Sequence, residues 1–445
     1  MTTAETSKYV IIGNSAGAIG AAEAIRSVDE KGTLLIVSDE PYPAYSRPLI
    51  AEHLYKGSSI DRMSYRPADF YEKNNIRTIL GRKATALDGT AHTVTLDDGT
   101  VIGWEKLLLA TGGTPIIPPM PGVDLNGVFN FITLDDAKGI SAYIKEGMKA
   151  VVIGGGLIGI SVTEALTKRG VTVSIVEMKD KVLNVMLDSE TSDLEEAALK
   201  EAGVGILTGH TVSRINPDYR RRDAVGGVTL DDGQEIVCDL VVVAIGVRPR
   251  TDLAKAADIE VNRGILVDSH MATSNPDVYA CGDAAEAYDY VIDARRPTPI
   301  WPNAYVGGRT AGFNMAGKVH DYPGGTSMNS LKYFGQDIVS AGLVTAPDDS
   351  YEVISRRNGH EMRKVILKDN IPVGMVFTGN IDKSGVVFGL IRDRINVGEF
   401  KEDLVAADFS LASLPEAIKQ ARLGTTPATA TAPVEEAPET DVVDE

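Results

Sequence analysis

The sequence predicts an α/β protein made of two nested units of three-layer ββα architecture, followed by a smaller C-terminal α+β domain. Three observations predict it. The stretch Ala150 to Glu177 reads as strand, glycine turn, helix and second strand ending on an acid, and Lys8 to Glu40 runs through the same order. Each is followed by a hairpin with an Asp-Asp-Gly turn, at Asp97–Gly99 and Asp231–Gly233. Each hairpin leads to an apolar strand closing on glycine, Leu107–Gly113 and Leu240–Gly246. A repeated order of elements marks two like domains. The expected boundaries are 1–115 with 240–325 for a first, discontinuous domain and 116–239 for the second. Residues 326–421 form the α+β domain and 422–445 an acidic tail.

The glycine turns carry the chemistry. In Gly154-Gly-Gly156-Leu157-Ile158-Gly159, Gly154 makes the tight turn, Gly156 lets a pyrophosphate approach the backbone, and Gly159 lets helix and strand pack closely. The free N–H groups where the helix starts, at Leu157 and Ile158, attract negative charge. Glu177, about 20 residues on, is placed to accept the adenosine ribose hydroxyls. A carboxylate there repels a 2′-phosphate, so NADH is favoured over NADPH, and Lys179 close by weakens that preference. This Rossmann-like unit is a nicotinamide dinucleotide site, with Ala244 to Gly246 at the end of the strand beside it.

The N-terminal unit departs from the same pattern. Gly13 is present, but Ser15 stands at the second glycine position and Ala18 at the third, with Ala16 and Gly17 between them. All are small, which preserves close approach. Asp39 is the choice for the ribose contact here, Ser38 the alternative, and Glu40 lies beside them. Two such units most simply bind two dinucleotides.

Bulk properties narrow the class. At 445 residues with 43% hydrophobic content the chain can bury two or three cores. A net charge of −18 argues against nucleic acid or an anionic membrane as partner. No apolar run is long enough to span a bilayer, and no signal pattern precedes the first strand, so a cytoplasmic protein is expected. Cys238 and Cys281 are too far apart in sequence for a CxxC or CxxxxC pair, and too few for an iron–sulfur cluster or zinc held by this chain alone. The six histidines are scattered and no metal site is readable.

Further elements follow in order. Pro41 to Leu49 is a turn-rich entry to a short helix ending near Leu54. Ile76–Leu80 and Thr93–Leu96 read as small strands. Ala110-Thr111-Gly112 closes the apolar strand of the first unit. Thr273 to Asp283 is a short strand delivering Gly282 and Asp283 at its carboxyl end, where ligands sit in open α/β sheets. Trp301-Pro302-Asn303-Ala304 opens a helix through Ala316, with Pro302 well placed near its start and an N-terminus favouring negative charge. Strands at Asp337–Gly342, Tyr351–Ser355, Met362–Leu367 and Val373–Phe377, and a helix at Val386–Arg394, make the C-terminal domain. From Gly424 the chain is Thr/Ala/Pro-rich, then acidic with no basic residue, and is expected to be disordered alone or to dock on a basic partner.

Together, Gly13 to Ala22, Ala110 to Gly112, Gly154 to Gly159, Ala244 to Gly246 and Thr273 to Asp283 resemble the FAD/NAD(P)-dependent pyridine nucleotide oxidoreductases. Pro43 to Leu49, Trp301 to Ala304 and Asn329 to Gly335 narrow the likeness to NADH:rubredoxin reductases and the FAD/NAD subunits of nitrite reductase. The resemblance implies FAD on the first unit, with Asp283 at its ribitol phosphate and the Trp301–Ala304 helix start facing the flavin pyrimidine. It departs in lacking a cysteine near Ser46, so dithiol and sulfenate chemistry is not expected, and in having Ser161 where relatives often carry Glu near the flavin. Arg47 is expected to contact flavin or phosphate, Cys281 to be a buried packing residue and His53 to be structural. Hydride transfer between nicotinamide and flavin needs alignment and no protein nucleophile, so no catalytic side chain is assigned.

The resulting expectation is an FAD-containing NADH oxidoreductase. It would exchange electrons with an external iron–sulfur protein (a rubredoxin or ferredoxin). The partner would otherwise be the iron–sulfur subunit of a larger complex, such as a tungsten or molybdenum aldehyde oxidoreductase. A dimer or a place in a hetero-oligomer is compatible with the sequence. The alternatives are an NADH oxidase acting on oxygen or a small molecule, and a non-catalytic flavoprotein module.

Overall fold

The apolar runs Tyr9–Ile12, Leu34–Val37 and Leu107–Leu109 are too continuous to present a polar face to water, and parallel strands covered on both sides accommodate them. In the computed structural model, which describes residues 5–422, they form the centre of a seven-stranded sheet. Its parallel part runs Ile76–Leu80, Leu34–Ser38, Glu5–Ile12, Val101–Leu109 and Val278–Ala280, with the hairpin Ala84–Asp88/Thr93–Leu96 added antiparallel. The final strand, drawn from far along the chain, completes this sheet around the intervening unit.

That unit has five parallel strands in the order Gly205–Thr208, Thr172–Glu177, Lys149–Ile153, Leu240–Val243 and Val128–Phe129. Its two faces are covered differently. Helices Leu134–Tyr143, Leu157–Lys168 and Ser189–Glu201 pack on one face, together with Ile50 and Leu54 from the first unit and Ile338 and Val376 from the C-terminal domain. The small antiparallel sheet Val212–Pro217/Val225–Leu230/Glu235–Val237 covers the other. A short crossing pair, Gly113–Pro115 against Val247–Pro249, joins the two units where the chain leaves and returns.

The C-terminal domain is a five-stranded antiparallel sheet ordered Met328–Tyr333, Gln336–Gly342, Ile371–Thr378, Glu361–Lys368, Glu352–Asn358, with helix Ser384–Arg392 on one face. It has one strand more than the sequence suggested. Met328–Tyr333 lacks a clean apolar alternation, and register with its neighbour places it in the sheet. Helix Ser189–Glu201, unread in the sequence, buries Glu195 and Glu196 in what looks like a solvated face. Arg422 closes helix Glu416–Arg422, and the rest of the acidic tail lies outside the described residues.

Candidate functional site

The two glycine turns are built alike. Gly154 has φ +103°, open only to glycine, and a Cβ on it would stand 2.5 Å from the Ala244 carbonyl oxygen. Gly13 has φ +121°, and a Cβ there would stand 2.1 Å from the Ala110 carbonyl oxygen. Each turn is thus pressed under the residue just past the end of the neighbouring strand, which makes Ala110 and Ala244 equivalent and likewise Gly112 and Gly246. Both later glycines also have positive φ.

Gly156 and Gly159 serve different ends. A Cβ on Gly159 would lie 1.9 Å from the Gly154 carbonyl oxygen, so glycine is required for the helix to seat on the turn. A Cβ on Gly156 meets nothing within 4 Å. The space above Gly156 is therefore open toward a ligand, and the helix starting at Leu157 has no side-chain cap on its first N–H groups. Ile158, next along, and Leu157 fall on its first turn. At the far lip Glu177 accepts from the Gly155 N–H at 2.6 Å and the Lys179 N–H at 2.8 Å. These residues fit a dinucleotide pyrophosphate and ribose.

The first turn opens in the same way. Ser15 has extended φ and ψ, needs no glycine, and leaves the helix Ala16–Val28 without a side-chain cap. Gly17 is the close-packing position. A Cβ there would lie 2.6 Å from Cys281 Sγ, and Gly308 and Gly312 of helix Trp301–Met315 press on the Gly17 and Ala21 carbonyls. Ala18 is buried in the same helix. By register, Val37 pairs with Ile12 as Val176 pairs with Ile153, so Ser38 lies level with Glu177. Asp39 is one residue further on and pairs with Arg250 at 2.8 Å. Thr111 Oγ1 donates to the Arg250 carbonyl at 3.1 Å.

Around this turn the structure collects groups that the sequence kept apart. Glu40 receives the Arg47 guanidinium and, at 2.6 Å, the Tyr45 hydroxyl. Arg47 also donates to the Ile132 carbonyl at 3.3 Å. Burial works against its charge, while Tyr45, Glu40 and Asp283 hold it protonated. Asp283 lies on the Gly282–Ala284 turn, where burial pushes its carboxyl above the usual range and Arg47 pulls it back. Gly282 has φ +67° and abuts Ala304. Ala304 follows Trp301, Pro302 and Asn303 at the start of a 15-residue helix whose N-cap, Ile300, supplies no side-chain bond. Asn303 donates to the Thr326 carbonyl at 3.1 Å, and Trp301 meets Tyr65 edge-on at 4.9 Å. Arg47, Asp283 and this helix start thus converge beside the Gly13 turn.

Sequence reasoning missed Tyr45, Tyr71 and Tyr333. Tyr45 also accepts the Leu134 N–H at 3.1 Å, tying the first unit to the second. Tyr71 donates to Asn14 at 2.9 Å and fixes the glycine turn. Tyr333 of the C-terminal domain lies near Ser161, and burial pushes its phenol up to about 12 while Ser161 pulls it back. His210 lies near Asp231 and Asp232, brought together across the hairpin, but this grouping is exposed. Both thiols are buried. Burial pushes Cys238 and Cys281 each up to about 12, which leaves neither as a thiolate at neutral pH.

Residues 7–308 match the family model described as pyridine nucleotide-disulphide oxidoreductase, and residues 328–395 match the rubredoxin NAD+ reductase C-terminal domain. The chain belongs to the pyridine nucleotide-disulphide oxidoreductase family. It is an FAD-dependent NAD(P)H oxidoreductase, with FAD and NAD(H) as cofactors. It is 34% identical over 408 residues to the NADH-dependent phenylglyoxylate dehydrogenase subunit epsilon of Aromatoleum evansii, covering 90% of this chain and 95% of that one. It is 32% identical over 338 residues to the NADH-rubredoxin oxidoreductase of Clostridium acetobutylicum, covering 76% and 82%. It spans only 48% of the nitrite reductase [NAD(P)H] of Bacillus subtilis, at 31% identity over 88% of itself. Among solved structures, putidaredoxin reductase in covalent complex with putidaredoxin superposes with a TM-score of 0.81 at 26% identity, covering 88% of this chain and 94% of that one. Among the described residues no helix is long and apolar enough to cross a membrane.

Proposed function

We propose that this protein passes electrons between NAD(H), bound at the Gly154–Gly159 turn, and an external iron–sulfur protein by way of FAD bound at the Gly13–Ala18 turn. The observation that carries the reading is the state of the two thiols. Cys238 and Cys281 are free, buried and held protonated, so this chain offers the flavin neither a disulfide to reduce nor a reactive thiolate through which to pass electrons. Nicotinamide delivers a hydride, two electrons at once, and bound flavin supplies the chemistry that divides them. The chain's own residues align the two cofactors. Arg47 and Asp283 hold the first, the open helix start at Trp301 favours negative charge on it, and Glu177 orients the second.

The relative from Clostridium acetobutylicum is named for rubredoxin, and the C-terminal match is to a rubredoxin reductase domain. Both support a small iron–sulfur acceptor. A second reading has the chain as a subunit feeding NAD⁺ from a larger enzyme, such as a tungsten- or molybdenum-type aldehyde oxidoreductase. It is favoured by the Aromatoleum evansii relative, a dehydrogenase subunit covered over 95% of its length. Steady-state NADH oxidation tests the shared core. It should be fast with oxidised ferredoxin or rubredoxin and slow with oxygen alone. Oxygen consumption matching the carrier-supported rate would instead point to an oxidase.

A further inference from the structure

Three residues of the segment between Glu40 and Pro48 are each bonded at two ends. One end lies at the Gly13 turn or its neighbours, the other at the start of helix Leu134–Tyr143 in the second unit. The Tyr42 carbonyl accepts from Asn14 Nδ2, inside the glycine turn, at 3.2 Å. Its hydroxyl donates to Asp135 at 2.5 Å and accepts from Lys138 at 2.9 Å. The Tyr45 hydroxyl donates to Glu40 at 2.6 Å and accepts the Leu134 N–H at 3.1 Å. Arg47 meets the Glu40 carboxylate and the charge of Asp283, and donates to the Ile132 carbonyl at 3.3 Å. Tyr45 is buried, and burial holds its phenol well above the ordinary range, so the hydroxyl keeps the proton it donates. Leu134 is the first residue of its helix, where Thr133 and Asp136 form a capping box. One N–H that the box leaves over is thus satisfied from the other unit. Pro41, Pro43 and Pro48 have fixed φ and stiffen the segment.

Helix Leu134–Tyr143 passes this grip on. Its buried Leu134, Ala137 and Ile140 share a core with Ile160, Val162 and Leu166 of helix Leu157–Lys168, which starts at the Gly156 turn. Ile50 and Leu54, just after the segment, enter the same core. Apolar burial of this kind holds the units together without fixing a direction. The polar bonds of Tyr42, Tyr45 and Arg47 do fix one, because hydrogen bonds weaken steeply off line. The units also meet at the crossing strands, and where Arg169, past the other end of helix Leu157–Lys168, donates to the Leu54 carbonyl at 2.8 Å. Those contacts close the interface, and the segment sets its registration. We propose that Tyr42, Tyr45 and Arg47 are positioning residues that set how a nicotinamide bound at the second turn lies against a flavin bound at the first. This role rests on the cofactor placement proposed above. The transfer takes a hydrogen nucleus with two electrons from NADH, leaves NAD⁺, and puts both electrons on the oxidised flavin. It needs reacting atoms about 3–3.5 Å apart, and a displacement of ~1 Å can cost on the order of a hundredfold in rate.

The holoenzyme carrying Tyr42→Phe and Tyr45→Phe together tests this. The pair removes the hydroxyl bonds to Asp135, Lys138, Glu40 and Leu134 while keeping both rings and Arg47. Mixed anaerobically with NADH, its flavin should bleach at a limiting rate at least about tenfold below the parent's, with half-saturating NADH within about twofold. Reduction by dithionite, which needs no nicotinamide site, should match the parent's, and so should flavin retention. The long-wavelength charge-transfer absorbance of NAD⁺ stacked on reduced flavin should weaken, because it follows the overlap of the two rings. Tyr42→Phe alone changes only an exposed bonding group. It should lower the limiting rate in the same sense, and it decides the matter should the double variant lose flavin or fail to fold. A limiting rate and charge-transfer band equal to the parent's overturn the proposal. So does a rise in half-saturating NADH at an unchanged limiting rate, which would assign the segment to nucleotide binding. A dithionite reaction slowed as much as the NADH reaction overturns it too, by placing the effect on the flavin alone. Failure of NADH to bleach the parent would instead remove the cofactor placement itself, and this role with it.

Discussion

The Glu177 carboxylate is bonded to the Gly155 N–H at 2.6 Å, so the acid we propose as the adenosine ribose contact is fixed to the glycine turn itself. A carboxylate held in this way cannot swing aside for a 2′-phosphate. Glu177→Arg should lower the NADH-to-NADPH ratio of kcat/KM by at least about tenfold, or about 1.4 kcal/mol. Initial rates with each nucleotide check this, and an unchanged ratio would remove Glu177 from the nucleotide site.

Gly156 and Gly159 separate binding from folding. Gly159→Ala forces a Cβ to within 1.9 Å of the Gly154 carbonyl oxygen, and overpacking of this kind costs about 1–3 kcal/mol. Its melting temperature and NADH affinity should fall together. Gly156→Ala meets no protein atom, so its stability should stay within about 0.5 kcal/mol of the parent while NADH binding weakens. Thermal unfolding beside an NADH titration distinguishes the two.

Arg47 is the cation that Glu40 positions near Asp283. Arg47→Gln should leave Glu40 and Asp283 without their counter-charge and weaken FAD retention by about tenfold or more. Flavin lost on ultrafiltration, followed by fluorescence, measures it. Full retention would make Arg47 a purely structural cation.

Glu195 is buried between helices Leu157–Lys168 and Ser189–Glu201 with neither carboxyl oxygen bonded. Burial, and then the Glu164 charge, push it up to about 8. The folded state therefore holds a proton that the unfolded chain gives up near pH 4.5. The corresponding stability is fully present below that pH and is lost as pH rises to about 8. Glu195→Gln should match the parent near pH 5 and be more stable by a few kcal/mol at pH 8. Denaturation curves at the two pH values check the divergence.

What the sequence disclosed was local. Gly13, Gly154 and Gly159 are demanded by backbone conformation and by contacts within one βαβ unit, so their spacing was readable without the fold. The pairing of Asp39 with Arg250 joins positions on either side of the second unit, and no local pattern foretells it. Tyr333 reaches Ser161 only because the C-terminal sheet docks on helix Leu157–Lys168. Glu195 was hidden because an acidic helix ordinarily faces water. The Arg47–Glu40 pair lay within seven residues, yet its nearness to Asp283 depends on the strand that returns late in the chain.

The central claim is that hydride from NADH reaches the flavin and leaves as single electrons for an iron–sulfur acceptor. An anaerobic titration tests it most directly. About one equivalent of NADH should bleach the oxidised-flavin absorbance, and about two equivalents of an oxidised one-electron carrier, rubredoxin or ferredoxin, should restore it. Bleaching that recovers only when air is admitted, or no bleaching at all, would contradict the account.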